Sequence, residues 1–256
     1  RRCVVILTAL PIEYEAIREY LDDPIQSRAE VGTLYEVGEL RGIRGSWQLA
    51  IAQTGQGSAT AGVQLERAIH VFRPEIALFL GVAGGRKDVQ PGDVVAAEKI
   101  YDYESGKSAP KGYQPRMSAY RPAYRLVQHA QLVARRGRWQ RRIKPACPAP
   151  PPRAFVKPIA TGAKVVANDR SAIARLLDRY ASDALAVEME GYGFLEGAYV
   201  NPGVDALVVR GISDLLVGKT QAGDERWQPI ASSHAAAFAV ELLDSLGVNI
   251  GERAGR

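Results

Sequence analysis

The sequence predicts an α/β fold: a largely parallel sheet with crossover helices. Three observations predict it. Short β-branched runs alternate with longer stretches of helical periodicity, the pattern left by strands buried on both faces. At 256 residues the chain suits one large domain better than two small ones. With 46% hydrophobic and 24% charged residues it can bury a sizeable core, which excludes a disordered or fibrous protein.

In chain order, the strand candidates are Val4–Leu7, Trp47–Ile51, Ile76–Leu80, Val94–Ala96, Phe155–Ile159 and Ala206–Val209. Each is short, apolar and rich in β-branched or aromatic residues. The first lies within Arg1–Thr8 and is too short for a signal peptide. Between and after the strands, apolar residues recur at helical spacing in Ile12–Leu21, Ser58–Phe72, Ala119–Arg136, Arg170–Tyr180, Glu190–Tyr199 and Pro229–Leu246. We read residues 1–250 as a single domain interrupted at about 101–157 by a basic, proline-rich insertion, with a polar tail at 251–256. Within the insertion Pro145, Pro148, Pro150, Pro151 and Pro152 form a near-polyproline segment. Long insertions in compact domains serve as lids, partner-binding elements or connectors.

No apolar run approaches the ~18 residues that span a bilayer, so we expect a soluble, cytoplasmic protein with no membrane partner. The chain opens on Arg1 rather than Met, which leaves open a processed chain or one domain fused to others in a longer polypeptide. Two cysteines and three histidines form neither a disulfide framework nor a metal-ligand spacing, and we expect no metal and no cofactor. The net charge of +5 conceals a strong asymmetry. Lys99–Lys164 holds fifteen cationic residues against two acids, and the remainder holds eighteen against twenty-six. Such a split suggests a basic face meeting phosphates, nucleic acid or an acidic partner. The run Arg135, Arg136, Arg138, Arg141, Arg142, Lys144 is better read as a solvated surface.

Five short segments carry the chemistry. Thr8-Ala9-Leu10-Pro11-Ile12-Glu13-Tyr14-Glu15 follows the first strand and opens a helix, which puts a carboxylate at the sheet's carboxyl edge, where α/β folds bind ligands. Residues two apart diverge on a helix, so Glu13 and Glu15 cannot share a face, and by themselves they also fit acids complementing a helix dipole. Gly55-Gln56-Gly57-Ser58 and Gly81-Val82-Ala83-Gly84-Gly85 are tight turns after strands and match neither nucleotide-binding glycine signature. Ala186-Val187-Glu188-Met189-Glu190-Gly191 sets two acids in an apolar passage, costly to bury unless they bind something. Val208-Val209-Arg210-Gly211-Ile212-Ser213-Asp214 ends a strand on an acid that is a site residue, a helix cap or a partner for Arg210.

These five segments, in this order and at this spacing, resemble the nucleoside phosphorylase/nucleosidase superfamily, and within it the methylthioadenosine/S-adenosylhomocysteine nucleosidases, over about residues 3–100 and 155–246. Val-Glu-Met-Glu and Arg-Gly-Ile-Ser-Asp are the specific motifs. The resemblance implies a three-layer α/β domain around a mixed, largely parallel central sheet, assembled as a homodimer or larger homo-oligomer. It implies that Glu13 positions the attacking water, Glu190 binds the ribose hydroxyls with Met189 packed on the sugar, and Asp214, oriented by Ser213, assists protonation of the purine. Gly84, Val165 and Val166 then fall at the base site.

Two positions depart from the pattern: Val82 stands in place of a serine near the water, and Val165 in place of an aromatic that stacks on adenine. The long basic insertion is more similar to the nucleosidase-like effector domains of bacterial antiphage proteins. Lys107, Lys111, Arg116 and Lys164 are its candidates for phosphate binding.

The expected activity is therefore hydrolysis of the N-ribosidic bond of a purine nucleoside or nucleotide. Breaking that bond needs an acid for the leaving base, anionic surroundings for a cationic sugar and a positioner for water. Phosphorolysis is the enzymatic alternative, disfavoured because Glu13 would repel phosphate. A non-catalytic nucleotide sensor is the other, disfavoured by the intact trio Glu13, Glu190 and Asp214. Nucleic acid ranks last, since the basic run has only Trp139 as a nearby aromatic.

Overall fold

The computed structural model describes residues 2–110, 112–164, 171–216 and 221–247. Lys111, Val165 and Val166 lie outside them. Its elements run β1 (Cys3–Thr8), α1 (Pro11–Arg18), β2 (Asp22–Glu30), β3 (Thr33–Gly42), β4 (Gly45–Gln53), α2 (Ser58–Phe72), β5 (Ile76–Gly85) and β6 (Val94–Asp102). There follow β7 (Gly106–Ala109), β8 (Gly112–Pro115), β9 (Ser118–Tyr120), α3 (Tyr124–Arg136), a 3₁₀ turn (Arg138–Arg142) and β10 (Ala154–Thr161). The chain closes with α4 (Ala172–Tyr180), β11 (Ala186–Glu188), α5 (Gly191–Tyr199), β12 (Asp205–Leu215) and α6 (Gln221–Leu246).

The main sheet runs β11-β10-β6-β12-β5-β1-β4-β3-β2, with β9 paired to β6. It is mixed. The β4-β1-β5-β12 centre is parallel, whereas β12 meets β6, and β2, β3 and β4 meet one another, antiparallel. Alternation along the strands explains the three layers. Val4 and Ile6 of β1 face a core built with Ile17 of α1, Leu126 of α3 and Phe238 of α6. Val5 and Leu7 face the other core, with Leu65 of α2 and Phe194 of α5.

Every strand expected from the sequence lies within a strand of the fold. The β2–β3 hairpin and three-residue β11 do not stand out in the sequence, and residues 119–120, expected to begin a helix, belong to β9 instead. Helix α6 begins at Gln221, so Pro229 sits inside it rather than at its start.

The 101–157 segment folds as the tail of β6, the β7–β8 hairpin, β9, α3, the 3₁₀ turn and the first part of β10. Trp139 is fully buried with its ring centroid 5.8 Å from that of Phe238. Part of the segment's positive charge is answered within the chain. Arg142 reaches Glu241 and Asp244 of α6 at 2.5 Å, Arg153 reaches Asp93 at 2.8 Å, and Arg125 reaches Glu75 and Asp205. These three arginines thus meet acids from the remainder of the chain. Arg142 also corrects the reading of its run as wholly solvated, because the acids of α6 draw it inward.

Among the described residues no helix is long and apolar enough to cross a membrane. Nor is any group of three or more His, Cys, Asp or Glu side chains placed to hold a metal ion.

Candidate active site

Strands β1, β5 and β12 run parallel, so their carboxyl ends open on the same side of the sheet. A cavity of about 260 Å³ lies there, and Glu13, Gly84, Met189, Glu190, Ser213 and Asp214 all line it. Residues spread over two hundred positions of sequence therefore share one space.

Glu13 occupies the first turn of α1 and bends back over it. Its Oε2 accepts the Ala9 and Leu10 backbone N–H groups at 2.8 and 2.9 Å, and its Oε1 accepts that of Val82 at 2.8 Å. A carboxylate has about four lone-pair positions, and three are filled here. Burial pushes the Glu13 pKa up from the usual carboxylate range, against the opposing pull of Arg210 and the three amides.

Arg210 is fully buried, and its Nη2 donates to both Glu188 and Glu190, the latter at 3.1 Å. It therefore partners the acids of β11 and the turn after it, not Asp214 as the sequence left open. Burial opposes its charge, but Glu188, Glu190 and Glu13 together hold the guanidinium above its ordinary range. Gly81 makes the Glu13 side of this arrangement accessible. A Cβ there would overlap Arg210 Nη1 and lie 2.5 Å from Glu13 Oε1, so only glycine lets the two charges approach.

The two acids of Val187-Glu188-Met189-Glu190 have different duties. Glu188 accepts from the Thr161 hydroxyl, from Arg210 and from the Glu190 and Gly191 backbone N–H groups, which ties down the start of α5. Glu190 accepts from the Gly57 N–H at 2.9 Å, and Ser58 donates to the Met189 carbonyl at 3.0 Å. That contact requires α5 to press on the start of α2, and Gly193 permits it, since a Cβ there would overlap the Ser58 carbonyl. Burial, with Glu188 adding its charge, pushes the Glu190 pKa up to about 7 despite Arg210.

Asp214 follows a bulge. Ile212 pairs with Ala83 and Asp214 with Gly84, so Ser213 is the extra residue that re-aims the acid. Ser213 Oγ donates to Asp214 Oδ1 at 2.8 Å, and Oδ2 lies against Gly84. Of the cations read from the sequence, Lys111 lies outside the described residues and, of the other three, Lys164 lines the cavity, with its Nζ 3.1 Å from Glu104. Lys107 and Arg116 belong to the β7–β8 hairpin region and are not among the residues that line the cavity.

Residues 4–244 match the family described as the phosphorylase superfamily. The chain belongs to the phosphorylase superfamily. It is 28% identical over 265 residues to ATP nucleosidase Cap17 of Escherichia coli (strain KTE188), a match that covers 94% of this chain and 50% of that protein. The chain thus spans about half the length of that relative. It is 24% identical over 247 residues to a 5′-methylthioadenosine/S-adenosylhomocysteine nucleosidase of Haemophilus influenzae (strain PittEE), covering 94% of this chain and 98% of the relative. Among solved structures, the nucleosidase of the same name from Neisseria meningitidis superposes with a TM-score of 0.77 at 20% identity, covering 96% of this chain and 100% of that one. Futalosine hydrolase of Helicobacter pylori also gives 0.77 at 20% identity, covering 95% of this chain and 97% of that one. These likenesses establish the superfamily fold.

Two residues at or beside the cavity escaped the reading of single motifs. Arg210 is one, although a lone arginine inside Val208-Val209-Arg210-Gly211-Ile212 already demands buried anions. Gln228 of α6 is the other: it lines the cavity, and nothing in the sequence around it gives a signal.

Proposed function

We propose that the chain hydrolyses the N-ribosidic bond of an adenine nucleoside or nucleotide and releases the free base. One observation carries the reading: Glu13, Glu190 and Asp214 line one cavity, with Asp214 held by Ser213 on one wall and Glu13 held by three backbone amides on another. In this reading the C–N electron pair leaves with the base, Asp214 assists its protonation, and water adds to the anomeric carbon as Glu13 takes its proton. Glu190 accepts the ribose hydroxyls, and Met189 packs on the sugar. The buried anions favour the cationic sugar of the transition state. Val165 and Val166, outside the described residues, are assigned to the base with Gly84.

Water is favoured over phosphate as nucleophile because Glu13, Glu188 and Glu190 set three carboxylates against the one guanidinium of Arg210. For the 5′ group we propose that nucleotides, ATP included, compete with methylthioadenosine. The likeness to an ATP nucleosidase supports this, with Lys164 as the cation that lines the cavity. We propose a homo-oligomer as the working form, since Val63 of α2 and Tyr199 and Val200 at the end of α5 are each more than half exposed.

The test is chromatography of free base released from a panel of nucleosides and nucleotides, with and without phosphate. Free adenine without phosphate is expected. Strict dependence on phosphate with ribose 1-phosphate as product would replace hydrolysis by phosphorolysis, and no base from any substrate would leave a binding domain.

A further inference from the structure

The polar groups around the active cavity divide between the two faces of the sheet. Gly211 pairs with Val82, and a Cβ on Gly211 would overlap the Ala231 carbonyl, so both positions look toward the layer of α1, α3 and α6. One residue earlier on each strand the direction reverses. Arg210 lies over the Phe79 ring at 4.8 Å, and Glu13 Oε1 is 2.5 Å from the Cβ position of Gly81, both toward the layer of α2 and α5. Glu188 and Glu190, bound by Arg210, share that side. Gly84, two residues beyond Val82 and with Asp214 Oδ2 against it, returns to the α6 side.

Gln228 stands on the α6 side as well. Helix α6 runs from the carboxyl edge of the sheet to its amino edge: Ala231 packs on Gly211 late in β12, and the Leu243 carbonyl accepts from Trp47 Nε1 early in β4. Gln228, nearly one turn ahead of Ala231, therefore enters the cavity from the carboxyl edge. Its neighbours fix it there. The Trp227 ring lies 3.4 Å from the Cβ position of Gly92, His234 Nδ1 donates to the Gly92 carbonyl at 2.7 Å, and the Gly92 N–H donates to the Ile212 carbonyl at 2.7 Å. Glu13, Glu188, Glu190, Lys164 and the Ser213–Asp214 pair all make polar contacts within the chain, whereas the Gln228 amide makes none among the described residues. Gln56 makes none either, but it adjoins Gly57, whose N–H holds Glu190 on the opposite side.

In a β-ribonucleoside the base and C5′ leave one face of the sugar ring, and the 2′- and 3′-hydroxyls leave the other. With the hydroxyls at Glu190 and the base at Asp214, the 5′ group leaves on the side of Val82 and Gln228. We propose that Gln228 is a specificity-determining residue that reads the 5′ group as oxygen. Its amide can donate to a phosphate ester and can either donate to or accept from a 5′-hydroxyl, but a thioether sulfur offers it only a weak acceptor. A site built to hydrogen-bond a substrate oxygen discriminates against the analogue that lacks it. The favoured substrates are thus 5′-oxygenated adenine nucleosides and nucleotides, a refinement that rests on the nucleosidase reading for the places of base and sugar.

Gln228→Leu and Gln228→Glu, made in the full chain, test it. Both should melt close to the parent, because the side chain is partly exposed and leaves no partner behind. Gln228→Leu should lower kcat/KM for adenosine and AMP at least tenfold relative to that for methylthioadenosine. Gln228→Glu should depress AMP and ATP more than adenosine, since a carboxylate repels phosphate yet still accepts from a hydroxyl. Calorimetry in a Glu13→Gln background separates binding from chemistry: AMP should bind at least tenfold more tightly than methylthioadenosine, and adding Gln228→Leu should remove that preference. Ratios that neither variant moves, or a parent that prefers methylthioadenosine in both turnover and binding, overturn the assignment. A chain that releases no base but loses its AMP preference with Gln228→Leu keeps the residue and loses the nucleosidase reading. Adenine release indifferent to Gln228 keeps the enzyme and rejects the residue.

Discussion

The Arg210 guanidinium and the Glu13 carboxylate face each other across the bare Cα of Gly81, where a methyl group would collide with both. Gly81→Ala should therefore drive the two charges apart. Overpacking of this kind costs about 1–3 kcal/mol of stability. The loss in turnover should be larger in proportion, ~10²-fold, because Glu13 would lose its counter-charge while remaining buried. Melting temperature and kcat, measured together, check this; wild-type turnover in a destabilised variant would show that Arg210 does not serve Glu13.

Glu13→Gln keeps the size of the side chain and removes its basicity. We expect at least ~10²-fold lower kcat with near-native melting, the scale for loss of a general base. Because the carboxylate accepts three backbone N–H groups, the amide must turn its nitrogen away from at least one donor, and a small stability loss should accompany the change. Full activity in Glu13→Gln would remove it from the reaction.

Glu190→Gln should weaken turnover of ribosides more than that of 2′-deoxyribosides, since the lost contact is to a hydroxyl. Equal losses would make Glu190 a structural residue. A second readout is stability against pH. The Glu190 carboxyl titrates at about 7 in the folded chain, above its ordinary value, so the folded state binds more protons than the unfolded one between those limits. The stabilisation from its neutral form is complete below the ordinary value and is lost as pH rises through about 7. Urea unfolding across that window should show stability falling with pH in the parent and a flatter profile in Glu190→Gln.

Asp214→Asn should depress release of a poor leaving base such as adenine more than that of an activated base, because only the poor one needs the proton. Comparable losses on both substrates would contradict its assignment. Ser213→Ala should produce a milder version of the same pattern, since Ser213 holds one Asp214 oxygen at 2.8 Å.

For the 5′ group, Lys164→Gln should lower the ratio of kcat/KM for ATP over methylthioadenosine, and added salt should lower it in the parent. A ratio far below one that neither change moves would return the chain to thioether substrates.

The central strands were legible because burial on both faces leaves continuous apolar runs such as Val4-Val5-Ile6-Leu7, and the acids at their ends stood out against that background. The β2–β3 hairpin was not, because most of β2 is exposed at the sheet edge and carries no apolar alternation. Strand β11 is too short to have a period. Glu13, Glu190 and Asp214 line one cavity, but each local motif also fitted a plainer role, and it was the order and spacing of the five segments together that singled them out. The separate duty of Glu188 could not be read that way, because it depends on Arg210, whose partner is set by register across the sheet rather than by neighbours in the chain. The hairpin lysine and arginine looked near the cleft only because sequence distance says nothing about which way a hairpin turns.

Strand β12, nearly the last element in the chain, sits in the middle of the sheet between β5 and β6 and brings both Arg210 and Asp214. During synthesis, Glu13 and Gly81 of β5 emerge long before Arg210, the counter-charge set among the three acids, and before Asp214. Closing contacts over that separation is slow compared with forming local structure. The cavity is thus a property of the finished sheet: Glu13, Glu188 and Glu190 all precede in the chain the single buried arginine set among them, and Arg210 and Asp214 arrive together on one strand.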